Sequence, residues 1–217
     1  LIIGIFTTPK FLKISGVDEM KEAGRLIPIT LMLLMAKYGT TIGPTIDIVI
    51  KSSPALILQE FGNLGTVFLG VPLGILLGLK REVIGGAHSI SREPNVALIA
   101  EKYGLDSPEG EGVLGVYIVG TVFGTIFMGI IASLLATSTP LHPLSLAMAS
   151  GVGSASMMTA SVGSLAELYP NIANEITAFG AASNLLSGLD GVYISVFLAI
   201  PLAEKIYSKM MKKRKQV

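Results

Sequence analysis

Two Gly- and Ser-rich segments of this chain carry polar and backbone groups that could bind a solute or an ion. The candidates in and just after the first segment (85–91) are Gly85, Gly86, His88, Ser89, Arg92 and Asn95. Those in the second segment (151–156) are Gly151, Gly153, Ser154 and Ser156. Glycine interrupts the regular hydrogen bonding of a helix, so both segments can offer free backbone groups to a ligand. The first segment suits an anionic substrate or a coupling ion, and the uncharged second segment suits sodium or a polar organic solute.

Each segment also has a purely structural interpretation. The first can be a cytoplasmic loop, with a turn at Gly85 and Gly86 and a helix boundary at Glu93 before Pro94. The second can be small-residue helix packing, with its hydroxyls bonded back to the preceding turn. The sequence alone leaves both alternatives open.

Isolated polar side chains within apolar stretches form a second group of candidates, because such groups are costly in lipid and usually face a site or a partner. Glu60 and Asn63 are three residues apart and share one helical face, while Asn184 and Asp190 flank a predicted Gly-rich break at 187–188. The carboxylates of Glu60 and Asp190 could bind cations or carry protons. We expect Lys37 and Asp47, by contrast, to reach a membrane surface or to pair with each other.

The composition is that of an integral membrane protein. Hydrophobic residues make up 51% of the chain, charged residues only 14%, and the mean hydropathy is +0.68. The absence of cysteine excludes disulfides and thiolate chemistry. Neither histidine lies at metal-ligand spacing, and no nucleophile elbow or phosphate loop is present, so we predict a protein that is not an enzyme and needs no cofactor.

The apolar stretches predict an all-α, polytopic membrane domain covering 1–217, with about six or seven spans. Four strong spans cover 26–50, 55–79, 112–136 and 189–206, and two weaker ones cover 144–168 and 172–188. The first residues, 1–6, are apolar but short, so we interpret them as the end of a span and expect the native N-terminus to be missing.

Basic residues predict the orientation of the spans. Lys80 and Arg81 follow a span, and the basic tail 209–215 closes the chain, so both are expected in the cytoplasm. The segments 83–109 and 149–175 then form repeat-like copies, which match at one constant separation along the chain. If the first copy enters the membrane as a re-entrant hairpin, the two copies face each other, as in inverted-repeat carriers.

Five strings of the chain form a distinctive set: KREVIG (80–85), SREPN (91–95), EKYGL (101–105), GVGSASMM (151–158) and LDGVY (189–193). Together they resemble a bacterial integral-membrane family known only as a domain of unknown function (DUF3100). The paired Gly-rich segments are also similar in style to glutamate-sodium symporters and 2-hydroxycarboxylate carriers, whose opposed hairpins have Gly-rich tips. This second resemblance implies a transporter, although Arg92 and Glu93 directly after the first tip depart from the carrier pattern.

Together these features predict a secondary transporter of a small polar or anionic solute, coupled to sodium or protons through alternating access. We expect it in a bacterial inner membrane with a cytoplasmic C-terminus. Its partners would be the lipid bilayer and a small-molecule solute, with a homodimer as one option and no nucleic acid. The alternative is a membrane subunit that transports nothing.

Overall fold

The computed structural model describes residues 42–88 and 92–214, together with isolated positions between 6 and 40. Every regular element within these stretches is helical, which confirms the all-α class. The α-helices are α1 (Ile46–Lys51), α2 (Ser53–Gln59), α3 (Gly65–Leu76), α4 (Glu82–Gly86), α5 (Arg92–Tyr103), α6 (Pro108–Val119), α7 (Thr125–Ser138), α8 (Pro143–Gly151), α9 (Ala155–Leu168), α10 (Ala173–Ile194) and α11 (Ile200–Arg214). Shorter 3₁₀ segments are Gly43–Thr45, Glu60–Leu64 and Pro170–Ile172, and π-helical segments are Gly120–Gly124 and Ser195–Ala199.

Some of these elements join into three helices that are long and apolar enough to cross a membrane. They cover Ser53–Leu76, Pro108–Ser138 and Pro170–Lys212. The first two correspond to the predicted spans 55–79 and 112–136. The predicted span 26–50 lies mostly outside the described residues.

The predicted break at Ser187 and Gly188 is wrong, because α10 continues through both residues. The segments 172–188 and 189–206 therefore belong to one long helix rather than to two spans. Glycine and serine weaken a helix only modestly, and the buried Ser187 donates its hydroxyl to Glu60 Oε1 over 2.8 Å. A Cβ on Gly188 would have no neighbour within 4 Å, whereas one on Gly180, about two turns earlier, would lie 2.5 Å from Val162 Cγ2. Gly180 therefore serves helix packing, and Gly188 does not.

The second Gly-rich segment forms the turn of a helical hairpin, α8–α9. The Ser161 hydroxyl donates to the Met128 carbonyl (3.1 Å) and the Tyr169 hydroxyl to the Ala136 carbonyl (3.1 Å), so α9 runs alongside α7 in the same direction. Helix α8 returns against α9, and both pack on α10 at Gly180. The segment 144–168 is thus split at 152–154 into two helices and is not one continuous span.

The first Gly-rich segment begins in α4, which lies directly against α6. A Cβ on Gly85 would lie 1.7 Å from the Glu109 carbonyl oxygen, and one on Gly112 would lie 2.0 Å from the Glu82 carbonyl oxygen. Helix α5 then packs on α6 through Ile99 and is joined to it by the turn at 104–107. Both α4 and α5 therefore lie against the first half of the Pro108–Ser138 helix.

A charged cluster at the start of α4 joins it to the Pro108–Ser138 and Pro170–Lys212 helices. Arg81 forms an ion pair with Glu109 on α6 and another with Glu204 on α11, where Nη2 and Oε1 are 2.7 Å apart. The Tyr103 hydroxyl donates to the same Glu204 oxygen over 3.0 Å. The hydrogen bond to Glu204 raises the pKa of Arg81, so its guanidinium stays charged at any ordinary pH. The sequence indicated Arg81 only as an orientation signal and missed this cluster.

Candidate functional site

Glu60 is a carboxylate that its neighbours cover almost completely. It begins the 3₁₀ segment that interrupts the Ser53–Leu76 helix, and only 5% of its surface is exposed. The Gln59 amide donates to Oε1 over 3.0 Å, the Ser187 hydroxyl donates to the same oxygen over 2.8 Å, and the Asn63 amide donates to Oε2. Among the described side chains no basic group pairs with it. The carboxylate is therefore held by neutral donors alone, which favours a proton or a small cation as its counter-charge.

Asp190 lies beside Glu60, one helical turn beyond Ser187 on α10. The two carboxyl groups are close enough to interact directly, and both line a cleft of about 250 Å³ together with Ile57 and Phe61. The Oδ1 atom of Asp190 is buried and has no hydrogen-bond partner among the described residues. Two neighbouring carboxylates repel each other unless a proton or cation is shared between them. The structure thus places the two acidic candidates, Glu60 and Asp190, side by side, where both could contact one ion.

Hydrogen bonds lead from Glu60 to α8, the helix that ends in the second Gly-rich segment. The Gln59 amide donates to the Ser183 hydroxyl (2.5 Å), which in turn donates to the Met148 carbonyl on α8 (2.7 Å). Asn184 donates to the Gly151 carbonyl (3.1 Å) and to the Gly153 carbonyl (2.9 Å). The backbone carbonyls freed at the end of α8 are thus satisfied by Asn184 rather than left open for a ligand.

The two candidate serines of this segment mainly shape the hairpin turn. Ser154 caps α9, since its Oγ accepts from the Ser156 backbone amide over 3.2 Å. The two hydroxyls also lie 2.7 Å apart, and Ser156 Oγ is 3.4 Å from Thr125 Oγ1 on α7. A Cβ on Gly151 would lie 2.3 Å from Ser183 Oγ, so this glycine permits close helix packing. In the described arrangement these residues position the tip, in agreement with the packing alternative.

The opposite side of the Glu60 group reaches the first Gly-rich segment. Asn63, His88 and Asn95 line a small internal cavity of about 10 Å³ beside the π-helical segment Ser195–Ala199. Their exposed fractions are 5%, 1% and 2%, so all three are buried. His88 Nδ1 lies against the Ile84 carbonyl, one helical turn earlier. His88 of the first Gly-rich segment, and α8, which leads into the second, therefore both lie near Glu60 and its neighbours.

The remaining candidates of the first segment lie either in α4 or outside the described residues. Gly85 and Gly86 belong to the regular helix α4, where Gly85 permits contact with α6 and its backbone is not open to a ligand. Ser89 and the side chain of Arg92 lie outside the described residues. The structure thus brings His88 and Asn95 together with Asn63, but not with the glycines.

Sequence reasoning missed Gln59, Ser183 and Ser187, which complete the group around Glu60. A signal was available for the serines, because Ser183, Ser187 and Asp190 recur at helical spacing and share one face of α10. Gln59 had no signal, since its role depends on a partner far away in the chain.

One protein-family model matches residues 1–209, and its description is a protein of unknown function (DUF3100). No curated protein and no solved structure matches the chain.

Proposed function

The chain belongs to the DUF3100 family of proteins of unknown function, and we propose that it is a secondary transporter that moves a small polar or anionic solute together with sodium ions or protons. The observation that carries the proposal is the buried Glu60 carboxylate, held only by neutral donors and joined by hydrogen bonds through Gln59 and Ser183 to α8, the helix that ends in the second Gly-rich segment. Ionisable groups at membrane depth usually mark ion or proton pathways. Glu60 and Asp190 would take up and release the coupling ion.

The placement of the two hairpins supports alternating access. We take α4 and α5 together as a first hairpin, which precedes the start of the Pro108–Ser138 helix, and the α8–α9 hairpin is joined to the end of that helix. If that helix crosses the bilayer, the hairpins enter from opposite faces and form an inverted repeat around the Glu60 group. The glycines that match in the two copies, Gly85 and Gly151, each permit the closest approach of their hairpin to a neighbouring helix.

The link between the ion site and the hairpins gives coupling a physical basis. Gln59 contacts both the Glu60 carboxylate and Ser183, which holds α8 through the Met148 carbonyl. A proton or cation on Glu60 weakens the hold of this carboxylate on its donors, and the chain of hydrogen bonds passes that change to the hairpin. We further propose a bacterial inner-membrane location with a cytoplasmic C-terminus, in line with the basic residues after the last long helix.

Reconstitution in proteoliposomes tests this function. We expect an imposed sodium or proton gradient to drive uptake of at least one radiolabelled member of a panel of carboxylic acids, amino acids and neutral polar solutes. Glu60→Gln keeps the size of the side chain but removes its charge, so gradient-driven accumulation should fall to background. Glu167→Gln is the matched control, because Glu167 is exposed, and it should transport normally.

Two results would overturn the proposal. Gradient-driven accumulation by Glu60→Gln at the wild-type level would remove Glu60 from the coupling mechanism. If the wild-type protein takes up none of the solutes in the panel, with or without gradients, a membrane subunit that transports nothing is favoured.

A further inference from the structure

We propose that the cavity between Asn63, His88 and Asn95 is a second ion site, which binds one dehydrated monovalent cation separately from Glu60. The inference deepens the proposed function, since it names a position for a coupling ion, but the binding itself does not require transport. The cavity is lined by these three side chains and by Ser195 and Ala199 of the π-helical segment.

The first argument is that three buried hydrogen-bond acceptors line one cavity and have no partner. The atoms are Asn63 Oδ1, Asn95 Oδ1 and His88 Nε2, each without a hydrogen-bond partner among the described residues. The role of Asn63 Oδ1 is fixed, because the amide nitrogen of the same side chain donates to Glu60. Buried polar groups without partners are uncommon in folded proteins and call for an explanation.

The tautomer of His88 follows from its other nitrogen. Nδ1 lies against the Ile84 carbonyl, which can only accept, so Nδ1 carries the proton and donates. The Ala199 backbone carbonyl also lies within hydrogen-bond reach of the ring. With the proton on Nδ1, the Nε2 lone pair and this carbonyl oxygen have no proton between them, and a cation that contacts both would remove their repulsion. The surroundings of the cavity thus offer lone pairs from side chains on the 3₁₀ segment, the first Gly-rich segment and α5.

Size and charge favour a cation over a water molecule. A cavity of about 10 Å³ has room for about one water-sized particle. A water molecule donates only two hydrogen bonds, so it would leave at least one of the three acceptors unsatisfied. A cation interacts with all of them at once, and the nearby Glu60 carboxylate adds a favourable negative potential. Among the described residues neither lysine nor arginine lines the cavity, and His88 is its one ionisable side chain; Lys102 lies near enough to act on His88 and opposes part of this negative potential.

Asn63 connects the two sites. Its Oδ1 atom would contact the cation, while its Nδ2 atom donates to Glu60. Cation binding polarises the amide and strengthens its hydrogen bond to the carboxylate, so occupancy of the cavity should favour the charged form of Glu60. Glu60→Gln should therefore weaken cation binding without abolishing it.

Cation-dependent stability of the purified full chain in detergent tests the inference. The thermal midpoint is measured against increasing NaCl, NH₄Cl or KCl, with choline chloride holding the ionic strength constant. We expect a saturable increase with sodium or ammonium, and the stronger of the two identifies the ion. Asn95→Leu, which removes one acceptor, should weaken the apparent affinity by roughly tenfold or more, while Asn171→Leu, at an exposed amide, should leave it unchanged.

A second variant protects the test against misfolding of Asn95→Leu. Asn95→Asp keeps the size and adds a negative charge, so it should bind the cation more tightly than the wild type. The inference is overturned if no cation shifts the midpoint beyond choline, or if Asn95→Leu keeps the full shift. It is also overturned if acidification alone gives the stabilisation, since the cavity would then hold a proton on His88.

The two proposals can fail separately. A saturable cation effect without solute flux would leave the ion site standing and remove the transporter. Gradient-driven flux without a cation effect at this cavity would do the reverse, with Glu60 as the sole coupling group.

Discussion

The contact between α4 and α6 leaves no room for a methyl group at Gly85, so Gly85→Ala should destabilise the protein strongly. The new Cβ would lie 1.7 Å from the Glu109 carbonyl oxygen and 2.9 Å from the Val113 backbone nitrogen. A carbon and a carbonyl oxygen in contact normally lie about 3.3 Å or more apart, so the helices must separate by roughly 1.5 Å. Backbone atoms cannot move aside as a flexible side chain can.

We estimate the cost from the usual range for overpacking. Inserting a methyl group into a tightly packed site costs about 1–3 kcal/mol, and the direct backbone clash at Gly85 places this case at the upper end. The higher helix propensity of alanine stabilises the variant by at most about 1 kcal/mol. The net loss is then about 2 kcal/mol, or a decrease of about 4–8 °C in the thermal midpoint for a chain of this size.

Thermal unfolding in detergent, followed by circular dichroism, measures this effect. Gly115→Ala on α6 is the matched control, because a Cβ there would have no neighbour within 4 Å, and it should be neutral or slightly stabilising. Equal midpoints for Gly85→Ala and Gly115→Ala would refute the close packing of α4 on α6, and with it the position of the first Gly-rich segment.

Two further predictions concern Tyr103 in the Arg81 cluster and Ser154 at the tip of the α8–α9 hairpin. Burial and the hydrogen bond to Glu204 raise the pKa of Tyr103 to about 12. The protonated phenol therefore contributes stability that is complete below its ordinary pKa of about 10 and is lost as the pH rises toward 12. The thermal midpoint of Tyr103→Phe should fall less than that of the wild type between these two pH values, and identical curves for the two proteins would contradict the contact. Because the native chain has no cysteine, single cysteines can report depth: Ser154→Cys, at the tip of the α8–α9 hairpin, should react with a membrane-impermeant maleimide much more slowly than Leu141→Cys in the exposed turn before α8, and equal rates would place the tip at the surface.

The sequence predicted the class and the isolated acid of the site because both are local signals. Hydropathy alone indicates helices in lipid, and a carboxylate such as Glu60 stands out in an apolar stretch whatever surrounds it. The partners of Glu60 could not be predicted in the same way, since Ser187 comes from a distant helix and its contact depends on how the helices pack. Asn63 was predicted from its spacing to Glu60, and it proved to be a direct neighbour.

The errors have a common physical origin in the double role of glycine and serine. The same residue types that end a helix in the second segment continue it at Ser187 and Gly188. At Ser187 the difference is a distant partner, since its hydroxyl donates to Glu60, and a one-dimensional pattern contains no information about that partner. Gly188 has no neighbour within 4 Å of a Cβ and continues the helix at the modest cost of its low propensity. The glycines of the first segment were expected to free the backbone for a ligand, whereas Gly85 frees space for a helix.

The Pro170–Lys212 helix can lose one residue within its π-helical segment Ser195–Ala199 without changing the direction of the side chains on either side. A π-helical turn contains an extra residue relative to an α-helical turn. Deleting the exposed Phe197 would let the segment close into an ordinary α-helix while the faces on either side kept their neighbours. A deletion within α10 would instead rotate every following side chain by about 100°. Insertions and deletions among natural relatives should therefore concentrate in this segment, where the register of the helix absorbs them.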